Sequence, residues 1–279
     1  MYESTPATVH ERKSRLEEEI IVFKCGGSSV DDLSKNFFQN IRALQQNGKK
    51  PVIVHGGGPA IEKLLNELNI SYTFIDGLRK TTDEMMDVVE MVLTGQVNPA
   101  LTRKFNAHHI QAVGLSGSDG YLLQAEAIDE QKYGQVGQLV AIDTTVMEHL
   151  LEKNIVPVIS PVAINKDNKR LNVNADTAAG AVASALHAKQ LVIVTDVPGI
   201  LKDEKLLETV TTEEIYTMME DGSIYGGMIP KVKAAMKGLQ GNVQEVMIVN
   251  GKDSEMKDEN TLAGTVICYQ EKAYAHKSL

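Results

Sequence analysis

The 279-residue sequence has few cysteines, no long apolar run and no excess of positive charge. Its two cysteines, Cys25 and Cys268, lie far apart, which is typical of a reducing compartment and not of a disulfide framework. No apolar run approaches the ~20 residues that span a bilayer, and the first residues lack the apolar core of a signal peptide. These absences predict a cytoplasmic protein without a membrane segment.

The formal net charge of −9 disfavours nucleic acid as the main partner, because phosphate backbones attract basic surfaces. Three nucleotide-binding signatures are also missing. These are the P-loop pattern G-x-x-x-x-G-K-[ST], the dinucleotide pattern G-x-G-x-x-G after the first strand, and the H-R-D loop of protein kinases. Any handling of phosphate by this chain therefore needs another architecture.

Short apolar runs alternate with amphipathic segments along the chain. This alternation predicts an α/β protein in which a mostly parallel sheet is covered by helices on both faces. Residues 1–19 are predicted to form a polar arm. A division between two lobes is expected near Ile164–Asn172, which gives an N-terminal lobe of residues 20–170 and a C-terminal lobe of residues 171–279.

Two segments carry more specific patterns. A long helix is predicted to begin after Thr81 or Thr82, and Gly95 and Pro99 should weaken or kink it. The alternating segment from Tyr121 to Ile142 predicts a β-hairpin that leaves the main alternation.

Four glycine-containing turns stand next to predicted strands or helices. They are "KCGGSS" (Lys24–Ser29), "HGGGP" (His55–Pro59), "DVPGI" (Asp196–Ile200) and "GGMIPK" (Gly226–Lys231). Bare backbone amides at a strand end, followed by a helix N-terminus, are suited to binding anions. Three of the four turns follow strands of one predicted sheet, whose carboxyl ends share one edge. The pattern therefore predicts an anion-binding site at that edge.

Two lysines are candidates for catalysis at this edge. Lys24 lies within an otherwise apolar strand, and a lysine is almost never buried without a partner. Lys231 lies in the first turn of a helix, where its charge opposes the helix dipole, so an anionic ligand would account for it. Asp176, at another helix start, would hold both lysines in place, although capping alone would also explain an aspartate there.

Other residues have a less specific pattern. Arg79 could form a bidentate pair with a carboxylate of a substrate, and Asn172 and Asn174 offer neutral donors and acceptors beside it. His55 could either stabilise its glycine turn or contact a substrate. Cys25 alternates with Lys24 and should point into the core. The seven histidines show no metal-ligand spacing.

Six segments in this order span nearly the whole chain: "KCGGSSV", "VIVHGGGP", "GLRKTT", "LNVNAD", "VTDVPGIL" and "GGMIPKV". Together they resemble the amino acid kinase family and, within it, the acetylglutamate kinases. The resemblance implies a three-layer αβα sandwich that binds the amino acid in its N-terminal lobe and ATP with Mg²⁺ in its C-terminal lobe. The implied reaction transfers the γ-phosphoryl group of ATP to the side-chain carboxylate of N-acetyl-L-glutamate, a step of arginine biosynthesis.

The resemblance also implies roles for individual residues. Lys24 and Lys231 would stabilise the transferring phosphoryl group, with Asp176 orienting both. The expected acetylglutamate ligands are Gly56, Gly57, Arg79, Asn172 and Asn174. The expected nucleotide ligands are Gly26, Gly27, Asp196, Val197, Pro198, Gly199, Ile200, Leu201, Gly227 and Met228. Mg²⁺ would be held mainly by the ATP phosphates.

The two ends of the chain depart from the arginine-inhibited members of the family. Those members carry a long N-terminal helix and a C-terminal signature that this chain does not clearly match, so a homodimer insensitive to arginine is expected. Three alternatives stay open: a kinase acting on carrier-bound aminoadipate, an aspartate kinase, and a ligand sensor without catalysis. The sensor is disfavoured because both lysines and Asp176 are present.

Overall fold

The computed structural model describes residues 19–269, apart from residues 27–31, 227, 240–242 and 244. The predicted arm of residues 1–19 therefore lies almost wholly outside the described residues.

An eight-stranded sheet forms the centre of the molecule, with the strand order β14-β18-β15-β11-β1-β2-β8-β5. Six neighbouring strands from β15 to β5 are parallel, whereas β18 runs antiparallel to β15 and β14 is parallel to β18. In chain order the strands are β1 (Ile20–Cys25), β2 (Lys50–His55), β5 (Ala112–Ser116), β8 (Val156–Ser160), β11 (Gln190–Thr195), β14 (Thr209–Thr211), β15 (Glu245–Asn250) and β18 (Thr265–Cys268). The mostly parallel sheet predicted from the sequence is confirmed.

The other strands form small sheets at the periphery. A four-stranded sheet has the order β10-β9-β6-β7, and three two-stranded hairpins pair β3 with β4, β12 with β13 and β16 with β17. These strands are β3 (Phe74–Ile75), β4 (Leu78–Arg79), β6 (Leu123–Ala127), β7 (Gly137–Ile142), β9 (Val162–Ile164), β10 (Arg170–Asn172), β12 (Leu201–Lys202), β13 (Lys205–Leu206), β16 (Met256–Asp258) and β17 (Thr261–Leu262).

Several helices begin at side chains that accept hydrogen bonds from the first helical turn. Ser34, Thr82 and Thr211 act in this way, and Thr211 forms a full capping box with Glu214. The α-helices are α1 (Lys35–Gln46), α2 (Gly58–Glu67), α3 (Asp83–Glu90), α4 (Asn98–Ala107), α5 (Glu130–Tyr133), α6 (Thr145–Glu152), α7 (Ala175–Ala185), α8 (Thr212–Glu220) and α9 (Met228–Gly238). Within the described part of the chain, none of the helices is both long and apolar enough to cross a membrane.

Two hydrophobic cores lie on opposite faces of the central sheet. One contains apolar side chains of α1 to α4, and the other contains apolar side chains of α6 to α9. Strand β1 contributes to both, since Val22 packs in one core while Phe23 and Cys25 pack in the other. This arrangement is the three-layer αβα sandwich that was predicted.

The predicted long helix is interrupted in an unexpected way. Helix α3 continues into a π-helix, Met91–Val97, and then into α4, which has Pro99 in its first turn. Gly95 lies inside the π-helix, whose wider turn absorbs an extra residue without ending the helix. The predicted hairpin of 121–142 is present as antiparallel β6 and β7, with the short helix α5 between them.

The central sheet combines strands from both sides of the predicted lobe division at residue 170. The division into lobes, and the roles assigned to each lobe, stay predictions.

Candidate active site

The glycine turns meet at the carboxyl edge of the central sheet, as expected for parallel strands. Strand β1 lies between β2 and β11, and Lys24 is paired with Val54 on one side and Ile193 on the other. The turn after β2 and the turn after β11 therefore flank the end of β1. The "HGGGP" turn is next to Lys24 because these two strands are neighbours.

A cavity of about 360 Å³ opens at this edge. Its walls come from the end of β1, the glycine turn, the β3–β4 hairpin and the start of α7. The lining residues are Lys24, Gly26, Gly56, Gly57, Gly58, Pro59, Ile61, Phe74, Gly77, Leu78, Arg79, Leu93, Val136, Pro161, Asn172, Val173, Asn174, Ala175 and Asp176. We call this space the strand-end cavity. It contains Lys24, Asp176, Gly26 and all five predicted acetylglutamate ligands.

Lys24 and Asp176 form an ion pair in the wall of the strand-end cavity. The distance between Lys24 Nζ and Asp176 Oδ1 is 2.9 Å, and the Lys24 side chain is only 14% exposed. Oδ1 is buried without a hydrogen bond of good angle, so the contact with the ammonium is mainly electrostatic. Asp176 reaches this position because Asn174 caps α7 and accepts hydrogen bonds from the N–H groups of Asp176 and Thr177. The predicted pairing of Lys24 with Asp176 is confirmed.

Arg79 also lines the strand-end cavity and has one donor without a partner among the described residues. Its side chain is 6% exposed, and Nη2 lies 2.7 Å from Glu62 Oε1. The guanidinium also contacts the rings of Tyr72 and Phe74, at 4.9 and 4.6 Å from their centroids. Nη1, however, is buried and has no hydrogen-bond partner among the described residues. A buried charged donor without a partner is costly, which makes Arg79 a candidate for binding an anionic ligand.

The glycine turn offers backbone donors at the start of α2. Gly57 is the N-cap, and no side chain caps this end of the helix. The first turn of a helix leaves its N–H groups without intrahelical acceptors and carries partial positive charge. The N–H of Gly56 is already used, since it donates to the carbonyl of Cys25 at 3.0 Å. The N–H group expected to reach a ligand is therefore that of Gly57. Gly56 lines the cavity without a free N–H group, and its lack of a side chain leaves room for a ligand.

His55 is buried behind the turn and does not line the strand-end cavity. Its Nδ1 lies 2.9 Å from the carbonyl of Gly56, and its Nε2 lies 3.0 Å from Asn98 Nδ2. Burial lowers the pKa of His55 to about 4, so the ring is neutral at physiological pH. Of the two roles that the sequence left open, the structure favours the stabilisation of the turn.

Asn172 and Cys25 also have definite partners. Asn172 lines the cavity, and its Nδ2 donates to Thr81 Oγ1 at 3.1 Å. Cys25 is fully buried, and burial raises the pKa of its thiol to about 12. The prediction that Cys25 packs in the core is confirmed.

Lys231 has a different carboxylate partner from the one that was predicted. It forms an ion pair with Asp196, at the end of β11, and not with Asp176. The hydrogen bond from Lys231 holds the pKa of Asp196 below its usual value. In this structure each lysine therefore has its own carboxylate, and the role of Asp176 in orienting both lysines stays a prediction. Both pairs still lie at the carboxyl edge, since β1 and β11 are adjacent.

Two residues of the predicted nucleotide-binding turn after β11, Gly199 and Ile200, pack against the rest of the protein. The N–H of Ile200 donates to Thr265 Oγ1 at 2.8 Å, and the Ile200 side chain is fully buried. A nucleotide contact by Ile200 is therefore not supported. Gly199 has a φ of +146°, and a Cβ there would be 2.4 Å from Thr265 Oγ1, so packing alone requires this glycine.

Some of the other predicted nucleotide ligands lie within the described residues, and two lie outside them. Asp196, Val197 and Pro198 precede Gly199 in the turn, Leu201 is exposed at the start of β12, and Met228 begins α9. Gly27 and Gly227 lie outside the described residues.

Two residues near the site were missed by the sequence reasoning. Glu62 orients Arg79, and its position in the second turn of α2, directly after "HGGGP", could have suggested that it faces the site. Lys252 follows β15, pairs with Asp32 at 2.8 Å and adds positive charge beside Asp196. Its place after the end of a parallel strand was the available signal.

The described residues contain no group of three or more histidine, cysteine, aspartate or glutamate side chains arranged to hold a metal ion. The two carboxylates at the edge, Asp176 and Asp196, are each paired with a lysine. Such a donor set fits a metal ion that arrives with its own phosphate ligands.

Comparison with known proteins identifies the family of this chain. The model of the amino acid kinase family matches residues 19–250. An acetylglutamate kinase of Halalkalibacterium halodurans is 50% identical over 249 residues, which are 89% of this chain and 96% of that protein. An acetylglutamate kinase of Geobacillus thermodenitrificans is 48% identical over 257 residues, or 92% of this chain and 99% of that protein. The solved structure of smu.665 from Streptococcus mutans UA159 has a TM-score of 0.77 and 34% identity, and the match covers 90% of this chain and 98% of that one. The chain belongs to the amino acid kinase family.

Proposed function

We propose that this protein is an acetylglutamate kinase, which transfers the γ-phosphoryl group of ATP to the side-chain carboxylate of N-acetyl-L-glutamate. The product would be N-acetyl-L-glutamyl 5-phosphate, an intermediate of arginine biosynthesis. The names of relatives that are 46–50% identical over most of the chain support this substrate. The observation that carries the proposal is the strand-end cavity, which Lys24, Asp176 and Arg79 line together with the glycine turn.

The proposed reaction brings two anions together and needs no general base. The acceptor carboxylate is already ionised at neutral pH, so the protein has to position the reactants and compensate their charge. The guanidinium of Arg79 would bind the carboxylate that does not react. Lys24 and the N–H of Gly57 would face the transferring phosphoryl group, with Asp176 holding the Lys24 ammonium in place.

Lys231 would bind phosphate oxygens from the nucleotide side. In the structure its ammonium group is paired with the exposed carboxylate of Asp196. When ATP binds, its phosphate oxygens would replace Asp196 as the partner of this ammonium group. Mg²⁺ bound to the ATP phosphates would supply further charge neutralisation at the transferring group. The turn of Asp196, Val197 and Pro198, together with Leu201 and Met228, would contact the nucleotide.

The protein is further proposed to act in the cytoplasm as a homodimer, as the family resemblance suggests. Light scattering after size exclusion measures the oligomer, and a monomeric mass would rule the dimer out.

The function is tested by measuring ADP release with ATP, Mg²⁺ and acetylglutamate, aspartate, glutamate, carbamate or carrier-bound aminoadipate. We expect turnover with acetylglutamate and little with the others. Lys24→Met should lower kcat by roughly 10²- to 10³-fold, the usual cost of losing one group that stabilises transition-state charge. Lys50→Met is the matched control, because Lys50 lies at the opposite end of the adjacent strand β2. Preference for another acceptor, or normal turnover by Lys24→Met, would overturn the proposal. A parallel assay with arginine measures feedback sensitivity.

A further inference from the structure

Asn98 is a buried amide at the junction of the π-helix and α4, and it is only 5% exposed. Its Nδ2 donates to the carbonyl of Val158 at 2.8 Å and to that of Leu115 at 3.2 Å. The same nitrogen lies 3.0 Å from His55 Nε2. The two carbonyls determine the orientation of the amide, because a flipped Asn98 would place its oxygen against two other oxygens.

This orientation determines which nitrogen of His55 carries the hydrogen. An amide nitrogen cannot accept, and the two hydrogens of Asn98 Nδ2 are shared among the two carbonyls and His55 Nε2, so Nε2 carries no hydrogen. A neutral imidazole has one N–H group, and it is therefore on Nδ1. That N–H donates to the carbonyl of Gly56 at 2.9 Å.

The hydrogen bond to Gly56 also determines the direction of the next backbone donor. The carbonyl of Gly56 and the N–H of Gly57 belong to one trans peptide unit and point in opposite directions. The carbonyl is held towards the ring of His55, which is buried and outside the cavity lining. The N–H of Gly57 is consequently turned away from His55, and Gly57 itself lines the strand-end cavity.

We infer that Asn98 and His55 are positioning residues that aim the N–H of Gly57 at the phosphoryl group moving between the two substrates. The identity of that ligand rests on the proposed function, whereas the chain of hydrogen bonds does not. Neither residue touches the cavity, so both act through the peptide between Gly56 and Gly57.

Two further features bring Asn98 to this position. A Cβ on Gly114 would lie 2.0 Å from Asn98 Oδ1, so only a glycine in β5 lets the amide approach the sheet this closely. The π-helix immediately before Asn98 also shifts the helical register relative to a continuous α-helix, which helps turn Asn98 towards the sheet.

The tautomer of His55 is tested first, in the unmodified full-length chain. Nitrogen NMR of the ¹⁵N-histidine-labelled protein distinguishes the Nδ1–H from the Nε2–H form for each of the seven histidines. The His55 signals are those that are lost in His55→Gln. We expect the Nδ1–H form at neutral pH. An Nε2–H form of His55 overturns the inference.

Kinetics test the consequence for catalysis. Asn98→Ser should lower kcat roughly 10-fold and leave the KM for ATP unchanged, because misdirecting a backbone donor costs part of the 10²- to 10³-fold effect of losing one. Its His55 signals should change towards the Nε2–H form or a mixture.

Asn106→Ser is the matched control. Asn106 is also an asparagine of α4 with hydrogen bonds to β5, through the backbone of Ala112, but it does not contact the glycine turn. A kcat for Asn98→Ser within twofold of this control overturns the inference. If the unmodified protein does not phosphorylate acetylglutamate, the proposed function fails, while the tautomer measurement still decides the positioning of Gly57.

Discussion

Gly57 and Leu93 are in such close contact that the glycine has no room for a side chain. A Cβ built on Gly57 would lie 2.5 Å from Leu93 Cδ2. The φ of Gly57 is −170°, an extended value that any residue adopts, so this glycine is required by its neighbour and not by its backbone. Leu93 belongs to the π-helix, which therefore packs directly against the glycine turn of the strand-end cavity.

Gly57→Ala should lower the free energy of unfolding by about 1–3 kcal/mol, the usual cost of overpacking. In a Leu93→Ala background the same change should cost nothing or stabilise, because the clash is gone. Urea unfolding of the two single variants and the double variant gives the coupling directly. Gly95→Ala is the control in the π-helix, since a Cβ there meets nothing within 4 Å. Equal effects of Gly57→Ala in both backgrounds would contradict the contact.

Arg79→Lys should raise the KM for acetylglutamate roughly 10- to 100-fold and change kcat much less. A lysine cannot keep the bond to Glu62 and also present a second donor in the same plane, and a hydrogen bond to a charged group contributes about 1.5–3 kcal/mol. Steady-state kinetics with varied acetylglutamate measure the split. Arg170→Lys is the control, because Arg170 pairs with Asp87 and Glu90 outside this cavity. An unchanged KM for Arg79→Lys would remove Arg79 from the binding site.

His55 should make the fold sensitive to acid. Its pKa is lowered from 6.5 to about 4 by burial, so the unfolded chain takes up a proton on His55 before the folded protein does. Stability is therefore lost as the pH falls from about 6.5 towards about 4, by up to about 3 kcal/mol for this residue. Urea unfolding of wild type and His55→Gln at several pH values should give curves that converge over this range. Parallel curves would show that His55 is not the group responsible.

The β3–β4 hairpin over the cavity is attached at its tip. Asp76 accepts hydrogen bonds from Lys132 Nζ at 2.8 Å and from the hydroxyl of Tyr133 at 2.7 Å, both in α5. Asp76→Asn should raise the KM for acetylglutamate roughly 2- to 5-fold, because the lost charge weakens an exposed ion pair. The φ of Asp76 is 51°, which asparagine tolerates, so the backbone is preserved. Tyr133→Phe should have a similar effect. If neither change alters KM, this attachment has no part in substrate binding.

The sequence predicted the features that depend on local pattern. Strand and helix order follow from the alternation of apolar periods. The link between Asp176 and Lys24 was predicted from the place of Asp176 at a helix start and from the family resemblance. Arg79 was predicted for its chemistry, and the structure adds the unpaired donor that gives the prediction its physical content.

Other features depend on distances between elements that are remote in sequence. The choice of Asp196 over Asp176 as partner of Lys231 is decided by where the first turn of α9 meets the end of β11. The only sequence features that indicated the π-helix were Gly95 and Pro99. The same two residues are equally compatible with a kink in an α-helix. Asn98 carries no local signal of burial, since its three neighbours come from three strands.

The strand-end cavity takes one wall from each helical layer, with α2 from one face of the sheet and α7 from the other. Each layer has its own core, so heating can loosen one face while the other stays packed. A shift of either helix start would separate Gly57 from the Lys24–Asp176 pair. During thermal inactivation, turnover should therefore decline before the circular dichroism signal does, and activity would be the more sensitive reporter of local damage.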